Sequence, residues 1–309
     1  ETASTVSSRG EYKFPVTEKR GAYYEDYHVS SYDLEYPNWA STPDTEFEQQ
    51  DDCDFVLGEF VWTGFDYLGE PTPFNAGTPA RSSYFGIVDL AGMKKDRFFL
   101  YQSKWSNCPV LHLLPHWNWA ERLGQNVPVF CYTNYPEAEL FVNGKSMGSK
   151  KKDRKDKYER YRLMWKDVIY QPGEIKVVAY DEKGMPADST CIRTAGTTHR
   201  LRATVDRREI TADGKDLAYV MIEVVDKEGN LCPRADNMLF FDIEGAASLK
   251  AACNGNPTDQ TSFSSSYMRA FNGKLMLVVE ATETTGQAIL KVYGGHLLPV
   301  IEKIDVINK

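Results

Sequence analysis

Five side chains suited to sugar chemistry fall within one short stretch: Glu59, Trp62, Asp66, Tyr67 and Glu70. An indole face stacks on the C–H groups of a pyranose ring, while carboxylates accept protons from its hydroxyls. A Trp flanked by carboxylates at the end of an apolar strand therefore has the composition of a sugar subsite. From pattern alone, Trp62 reads equally well as a core residue. Other catalytic machinery is missing. Gly-x-Ser-x-Gly, the P-loop, His-Glu-x-x-His and the dinucleotide fingerprint do not occur. His112 and His116 stand four apart, but Pro115 lies between them and argues against a shared helical face. Packing at a domain joint is the expected role of this pair, and no metal or cofactor is expected.

The elements that must position these residues are readable in outline. Asp54 to Tyr67 holds the run Phe-Val-Leu-Gly-Glu-Phe-Val-Trp, which lacks alternation and predicts a strand buried on both faces. Pro43 to Asp52 predicts a helix with Pro in its first turn and Thr42 as cap, and Asp96 to Trp105 a second helix. Helix, buried strand, long loop and helix together make an α/β signature. Beyond Pro109 the texture changes to short strands, expected at 127–133, 138–142, around 161–169 and at 174–180. Asn143-Gly144 and the Asp181–Gly184 turn mark hairpins. A polar joint at 194–198 opens a second set of strands at 201–205, 217–225, 238–243, 274–281 and 287–292. Each set predicts an immunoglobulin-like sandwich. Lys150 to Arg162 carries eight basic and three acidic residues and reads as a solvated edge strand and loop.

Composition narrows the function classes. The 309 residues include 36 Lys+Arg against 44 Asp+Glu, a net charge of −8 that argues against a nucleic-acid footprint. No apolar run approaches the length of a membrane-spanning helix, so no membrane insertion is expected. Aromatic residues make up 13% of the chain, which favours sheets and sites that stack on ring-shaped ligands. The six cysteines are widely spaced, with no Cys-x-x-Cys, and read as buried thiols. The abrupt polar start at Glu1-Thr2-Ala3-Ser4 reads as a fragment boundary.

Longer stretches resemble glycoside hydrolase family 2 β-galactosidases of bacteria. Glu1 to Pro15 (ETASTVSSRGEYKFP) is similar to their nucleophile segment, and Phe60 to Pro71 (FVWTGFDYLGEP) to their eighth barrel strand and its loop. Tyr84 to Asp89, Lys95 to Arg97 and Tyr101 to Ser103 resemble the end of the barrel. Leu114 to Trp119 and Glu139 to Ser146 resemble the sandwich that follows. The resemblance implies a multidomain fold: the C-terminal part of a TIM (β/α)8 barrel over 1–108, an immunoglobulin-like β-sandwich over 109–195 and a second one over 196–309. It implies a retaining hydrolysis by two carboxyl groups about 5–5.5 Å apart. Glu1 takes the nucleophile position, Trp62 the floor of the sugar subsite, and Asp66, Tyr67 and Glu70 become candidates for binding hydroxyls.

The family places its acid/base in a Glu directly after an Asn, and this chain contains no Asn-Glu dipeptide. Six barrel strands are also unaccounted for. The resemblance therefore implies a chain that does not hydrolyse glycosides alone, its acid/base lying upstream. The alternative is a non-catalytic carbohydrate-binding or spacer module carrying a barrel remnant. The expected partner is an oligosaccharide or galactoside substrate, with β-glucuronidase and β-mannosidase activities also compatible. A homo-oligomer is allowed, and family habit implies a periplasmic or secreted location.

Overall fold

Two-residue turns fix much of the strand pairing. In the computed structural model, which describes residues 1–75 and 79–308, Asn143 and Gly144 have φ of 49° and 79°. These left-handed values fit a tight hairpin, and the turn joins the antiparallel strands Glu137–Val142 and Lys145–Lys151. Glu174–Tyr180 and Pro186–Arg193 extend this pair into a four-stranded sheet. Its burial alternates, with Ile175, Val177 and Ala179 turned inward. A three-stranded antiparallel sheet of Leu111–Leu114, Val129–Thr133 and Leu163–Trp165 supplies the facing layer. The chain divides into two compact units, Glu1–Thr194 and Ala195–Lys309.

Within the first unit, the three-stranded sheet belongs to two cores at once. Val129 and Cys131 point into the sandwich with Leu113, Leu163 and Trp165. Phe130 and Tyr132, on the opposite face, pack with Leu114, Met164, Phe47, Leu100 and Tyr101. All five residues of Val129–Thr133 are consequently buried. Covering both faces of a sheet removes its solvent-facing row, and each fully buried large apolar side chain contributes about 1.5–3 kcal/mol. Phe47 and Leu100 come from the helices Pro43–Asp52 and Asp96–Trp105, whose bounds match those expected from sequence. Thr42 is extended at the first helix's cap position but makes no side-chain cap hydrogen bond.

Regular structure over 1–108 is sparse. Thr2–Ala3 pairs in parallel with Val61–Trp62, and Lys19–Arg20 with Glu35–Tyr36. The expected doubly buried strand is corrected here. Only Val61–Trp62 is strand, and Phe55, Leu57 and Phe60 are 84%, 103% and 88% exposed. A strand is buried on both faces only where neighbours and covering layers surround it, and one short neighbour does not do this. The α/β signature thus appears as two helices and short parallel pairs, with no extended parallel sheet among the described residues. The basic stretch begins as expected, with Lys150 and Lys151 ending the solvated edge strand Lys145–Lys151, and departs from expectation at its end. Arg162 is fully buried against Asp44, and Arg160 pairs with Asp52, so both clamp the helix Pro43–Asp52. Among the cysteines, Cys131 and Cys232 are buried while Cys108 and Cys191 are exposed, which corrects the reading of all six as buried.

Buried charges tie this unit together. The Lys95 ammonium lies 2.6 Å from Asp66 Oδ2 and donates to the carbonyls of Ser7 at 2.8 Å and Tyr84 at 3.2 Å. Arg97 Nη2 donates to the carbonyls of Phe85 and Gly86, and Arg9 pairs with Asp89 at 2.6 Å. Tyr132 Oη donates to Asp33 Oδ2 at 3.0 Å.

The second unit is a sandwich of two sheets. Ala247–Cys253, Lys274–Ala281, Leu217–Val225 and Arg200–Val205 form one, in that order. Leu297–Ile307, Gly286–Gly294, Met238–Gly245 and Tyr267–Arg269 form the other, with Glu209–Thr211 alongside Leu297–Ile307. A single parallel pairing, Arg200 with Leu298, links the sheets at one edge. Val220, Ile222, Leu277 and Val279 meet Leu239, Phe241, Leu290 and Val292 in the core.

Two outcomes test the buried charges. Burial pushes the Asp33 carboxyl up to about 6 against an ordinary 3.8, although Arg97 and Arg162 oppose the shift. The folded chain then holds a proton between those values that the unfolded chain has released, so this group's contribution to stability falls as pH rises through the interval. In urea unfolding at about pH 4 and about pH 7, the stability difference between wild type and Asp33→Asn should move in the variant's favour by about 2–3 kcal/mol. A constant difference would return Asp33 to its ordinary range. Lys95→Met leaves the Asp66 charge buried without its cation and should cost about 3–5 kcal/mol, with Lys95→Met/Asp66→Asn recovering part of the loss. A double variant no more stable than the single would sink the pairing argument.

Candidate sugar-binding site

The site begins with the parallel pair. Thr2 stands opposite Val61 and Ala3 opposite Trp62, with the Thr2 N–H donating to the Phe60 carbonyl at 3.0 Å. Thr2 Oγ1 adds a 2.5 Å hydrogen bond to Glu59 Oε2. This register sets Glu1 at the head of one strand and Trp62 on the strand beside it. Glu1 is exposed and borders a cleft of about 250 Å3 with Ser4, Trp39, Ser41 and Glu46. The Ser41 N–H donates to the Ala3 carbonyl at 3.0 Å, which fixes the far wall of that cleft to the strand. Ser41 Oγ donates to Glu46 Oε1, at 2.5 Å.

Trp62 is half-buried. Its inner side packs against the cluster of Val6, Val29, Phe74, Tyr84 and Phe85. The indole Nε1–H donates to Tyr67 Oη at 3.1 Å, and the rings meet edge to face with centroids 5.9 Å apart. Tyr67 Oη in turn donates to Glu70 Oε2. Burial, followed by the Glu70 carboxylate, pushes the Tyr67 hydroxyl up to about 12, so it remains a donor at neutral pH. Glu70 is exposed, at a φ of 45° beside Gly69 at 89°. The loop carrying it is closed by Gly69 N–H to the Arg81 carbonyl at 2.8 Å and Ser83 N–H to the Tyr67 carbonyl at 2.8 Å. One relay of donors thus fixes the indole, the phenol and the carboxylate relative to one another.

Asp66 does not join them. Its carboxylate is buried, with Oδ1 accepting from Gly86 N–H at 2.7 Å and Ser83 Oγ at 3.1 Å, and Oδ2 facing Lys95. Burial pushes the Asp66 carboxyl up and the Lys95 ammonium down, each partly offset by the other's charge. This corrects the expectation that Asp66 binds a sugar hydroxyl, because its oxygens already hold the loop's base. Gly86 lets the backbones meet there: a Cβ on it would lie 2.1 Å from the Asp66 nitrogen.

The histidines pack as expected at the joint with the sandwich. His112 Nε2 is 2.7 Å from Asp96 Oδ1, its ring stacked on Phe99 at 3.9 Å. His116 stacks on Trp119 at 4.3 Å. Sequence reading missed Trp39, Ser41 and Glu46, which reach the cleft beside Glu1 through the long excursion from residue 4. No periodicity or spacing marks them, and Trp39 in a Pro-Asn-Trp loop was the sole local signal.

Comparisons with known proteins follow the same lines. The family description "Glycoside hydrolase family 2 C-terminal domain 5" matches residues 201–300, and a domain of unknown function, DUF4982, matches 124–187. The chain is 42% identical, over 99% of its length, to a protein named Beta-galactosidase BoGH2A from Bacteroides ovatus. It is 32% identical, over 88%, to a putative beta-glucuronidase from Formosa agariphila. It spans 36% of the first relative's length and 27% of the second's. Among solved structures, a beta-glycosidase from Bacteroides vulgatus superposes with a TM-score of 0.86 at 31% identity, covering 98% of this chain and 41% of that one. A glycosyl hydrolase family 2 member from Bacteroides cellulosilyticus gives 0.78 at 28% identity, covering 85% and 37%. The chain belongs to glycoside hydrolase family 2, as the C-terminal region of a member of that family.

Proposed function

We propose that the chain is the C-terminal part of a retaining glycosidase that removes terminal β-galactosyl residues, with Glu1 as nucleophile. The observation that carries this reading is the parallel register of Thr2–Ala3 with Val61–Trp62, which sets Glu1 at the head of one strand beside the strand that carries Trp62, the first member of the Trp62–Tyr67–Glu70 relay. In this reading Glu1 attacks the anomeric carbon as the aglycone oxygen leaves. A second carboxyl group, from sequence upstream of Glu1, protonates that oxygen and then deprotonates the water that releases the sugar. Without that second group, residues 1–309 alone do not turn over substrate. Trp62 offers its exposed side to the sugar's C–H face, and Glu70, held by Tyr67, accepts a sugar hydroxyl. A carboxylate at this rim favours a neutral galactoside over a glucuronide, whose own carboxylate it would repel. The higher identity to the relative named a galactosidase points the same way.

The short parallel pair and the exposed Phe55, Leu57 and Phe60 support reading residues 1–108 as the C-terminal part of a TIM barrel, in which further strands cover that apolar run. Antiparallel sheets of four and three strands support an immunoglobulin-like sandwich over 109–195, and the family match at 201–300 supports a second over 196–309. The substrate is a galactoside or a galactose-ended oligosaccharide, and a periplasmic or secreted location suits such a substrate. The non-catalytic alternative gains no support from relatives named for glycosidase activities.

In the complete enzyme, Glu1→Gln should lower kcat by several orders of magnitude with the fold intact, and near-normal hydrolysis would remove the nucleophile assignment. Proton NMR of the first-formed sugar should show the β-anomer; α-galactose as the initial product would overturn retention. Trp62→Ala should lower kcat/KM by about 1–3 kcal/mol in transition-state terms, and an unchanged value would return Trp62 to the core. Aryl β-galactoside should be cleaved faster than the matching glucuronide, and the reverse order would refute the galactoside specificity.

A further inference from the structure

The second sandwich carries an aromatic row where its pattern calls for polar residues. Phe240 stands opposite Tyr267 on one side and Tyr293 on the other, so three rings form one line across three neighbouring strands. Leu239, Phe241, Met268 and Val292, their neighbours along the strands, are buried in the core. Alternation therefore sends the three rings to the outer face, where Phe240 is 40% and Tyr267 45% exposed. Phe240 and Tyr293 are nearly parallel, with centroids 5.8 Å apart and planes at 22°, and Tyr267 follows at 6.2 Å. The result is a continuous aromatic ribbon that the core does not need.

Polar groups border it. On the next row Asp242 faces Lys291 across the strands. The neighbouring Asp242 carboxylate pushes the Tyr293 hydroxyl above its ordinary range, and Lys291 Nζ lies 5.2 Å from the Tyr293 ring centroid. Arg269, at the end of the edge strand, has Asp236 within 3.8 Å. Each cation near the ribbon has an acidic neighbour, so the face carries little net charge.

We propose that Tyr267, Phe240 and Tyr293 form a docking surface for an uncharged polysaccharide chain, separate from the Trp62 site. Successive pyranose rings present apolar C–H faces at a spacing similar to that of the aromatic rings, and their hydroxyls project toward bordering groups such as Asp242 and Lys291. Balanced charge suits a neutral polymer better than an anionic one. Ile289, on the strand that carries Tyr293, and Ile301, opposite Lys291, add exposed apolar surface beside the rings, so a second copy of the chain is the occupant the test must separate from a polysaccharide. Holding a polymer on the sandwich would raise the local concentration of chain ends around a glycosidase. The inference does not depend on the role given to Glu1 or on galactose specificity.

Affinity electrophoresis of the 309-residue chain tests it, in gels cast with a soluble β-glucan, β-galactan or β-mannan and with polygalacturonate as the anionic comparison. At least one neutral polymer should retard the wild type. Phe240→Ala and Tyr293→Ala should each weaken that retardation about tenfold or more, and Phe240→Trp should keep it. Unchanged thermal unfolding of these surface variants would tie the loss to the rings themselves. The proposal is overturned if no neutral polymer retards the chain, if Phe240→Ala is retarded like wild type, or if only polygalacturonate acts. It is equally overturned if sedimentation shows a dimer that Phe240→Ala dissolves.

Discussion

A buried ammonium ties three segments of the first unit to one another. Lys95 sits directly before the helix Asp96–Trp105 and reaches inward to Asp66, to the Ser7 carbonyl and to the Tyr84 carbonyl. Those three partners belong to the segment after Glu1, the segment after Trp62 and the return of the Glu70 loop. A charge removed from water is tolerable when its hydrogen-bonding capacity is filled, and here each of the three ammonium protons has an acceptor. The candidate site's two halves are therefore held from beneath by one ion pair. Asp66 is committed to that pairing, its carboxylate buried and filled by Lys95, Ser83 and Gly86.

Around that centre ionic clamps join the apolar packing. Arg162, from the loop leading to Leu163–Trp165, enters the interior to meet Asp44 at the start of the helix Pro43–Asp52. The strand Val129–Thr133 contributes alternate residues to two cores, so the sandwich and the helical region share a wall. A joint of this kind resists sliding, since displacement would break apolar packing and expose unpaired charge together. The Trp62 relay rests on a separate cluster of Val6, Val29, Phe74, Tyr84 and Phe85, packed on its inner side and open on its outer side. Rigidity of that kind is what a sugar subsite requires, because stacking and hydroxyl contacts act only if the ring and the carboxylate are already placed.

The second unit follows a simpler rule. Its core is a regular alternation between two sheets, and its outer face would be expected to be polar throughout. The row of Tyr267, Phe240 and Tyr293 breaks that rule at positions where no packing requirement explains it. Local sequence could not reveal the row, because its members lie far apart in the chain and meet only through strand register.

The sequence alone determined what depends on near neighbours. Both helices, the Asn143-Gly144 hairpin and the strands Glu174–Tyr180, Leu217–Val225 and Lys274–Ala281 follow from periodicity, capping and turn chemistry within a few residues. The family was also legible, since Phe60 to Pro71 and its companion segments carry specific residues at fixed spacing. The tertiary structure decided what depends on distant partners. Asp66 and Glu70 look alike as loop carboxylates in sequence, yet Lys95 draws one into the interior and Tyr67 holds the other at the surface. The apolar run from Phe55 to Phe60 reads as a buried strand, but burial is a property of what surrounds a segment and not of the segment itself. Charge pairing, register and burial arise between residues tens of positions apart, and only folding brings them within reach of one another.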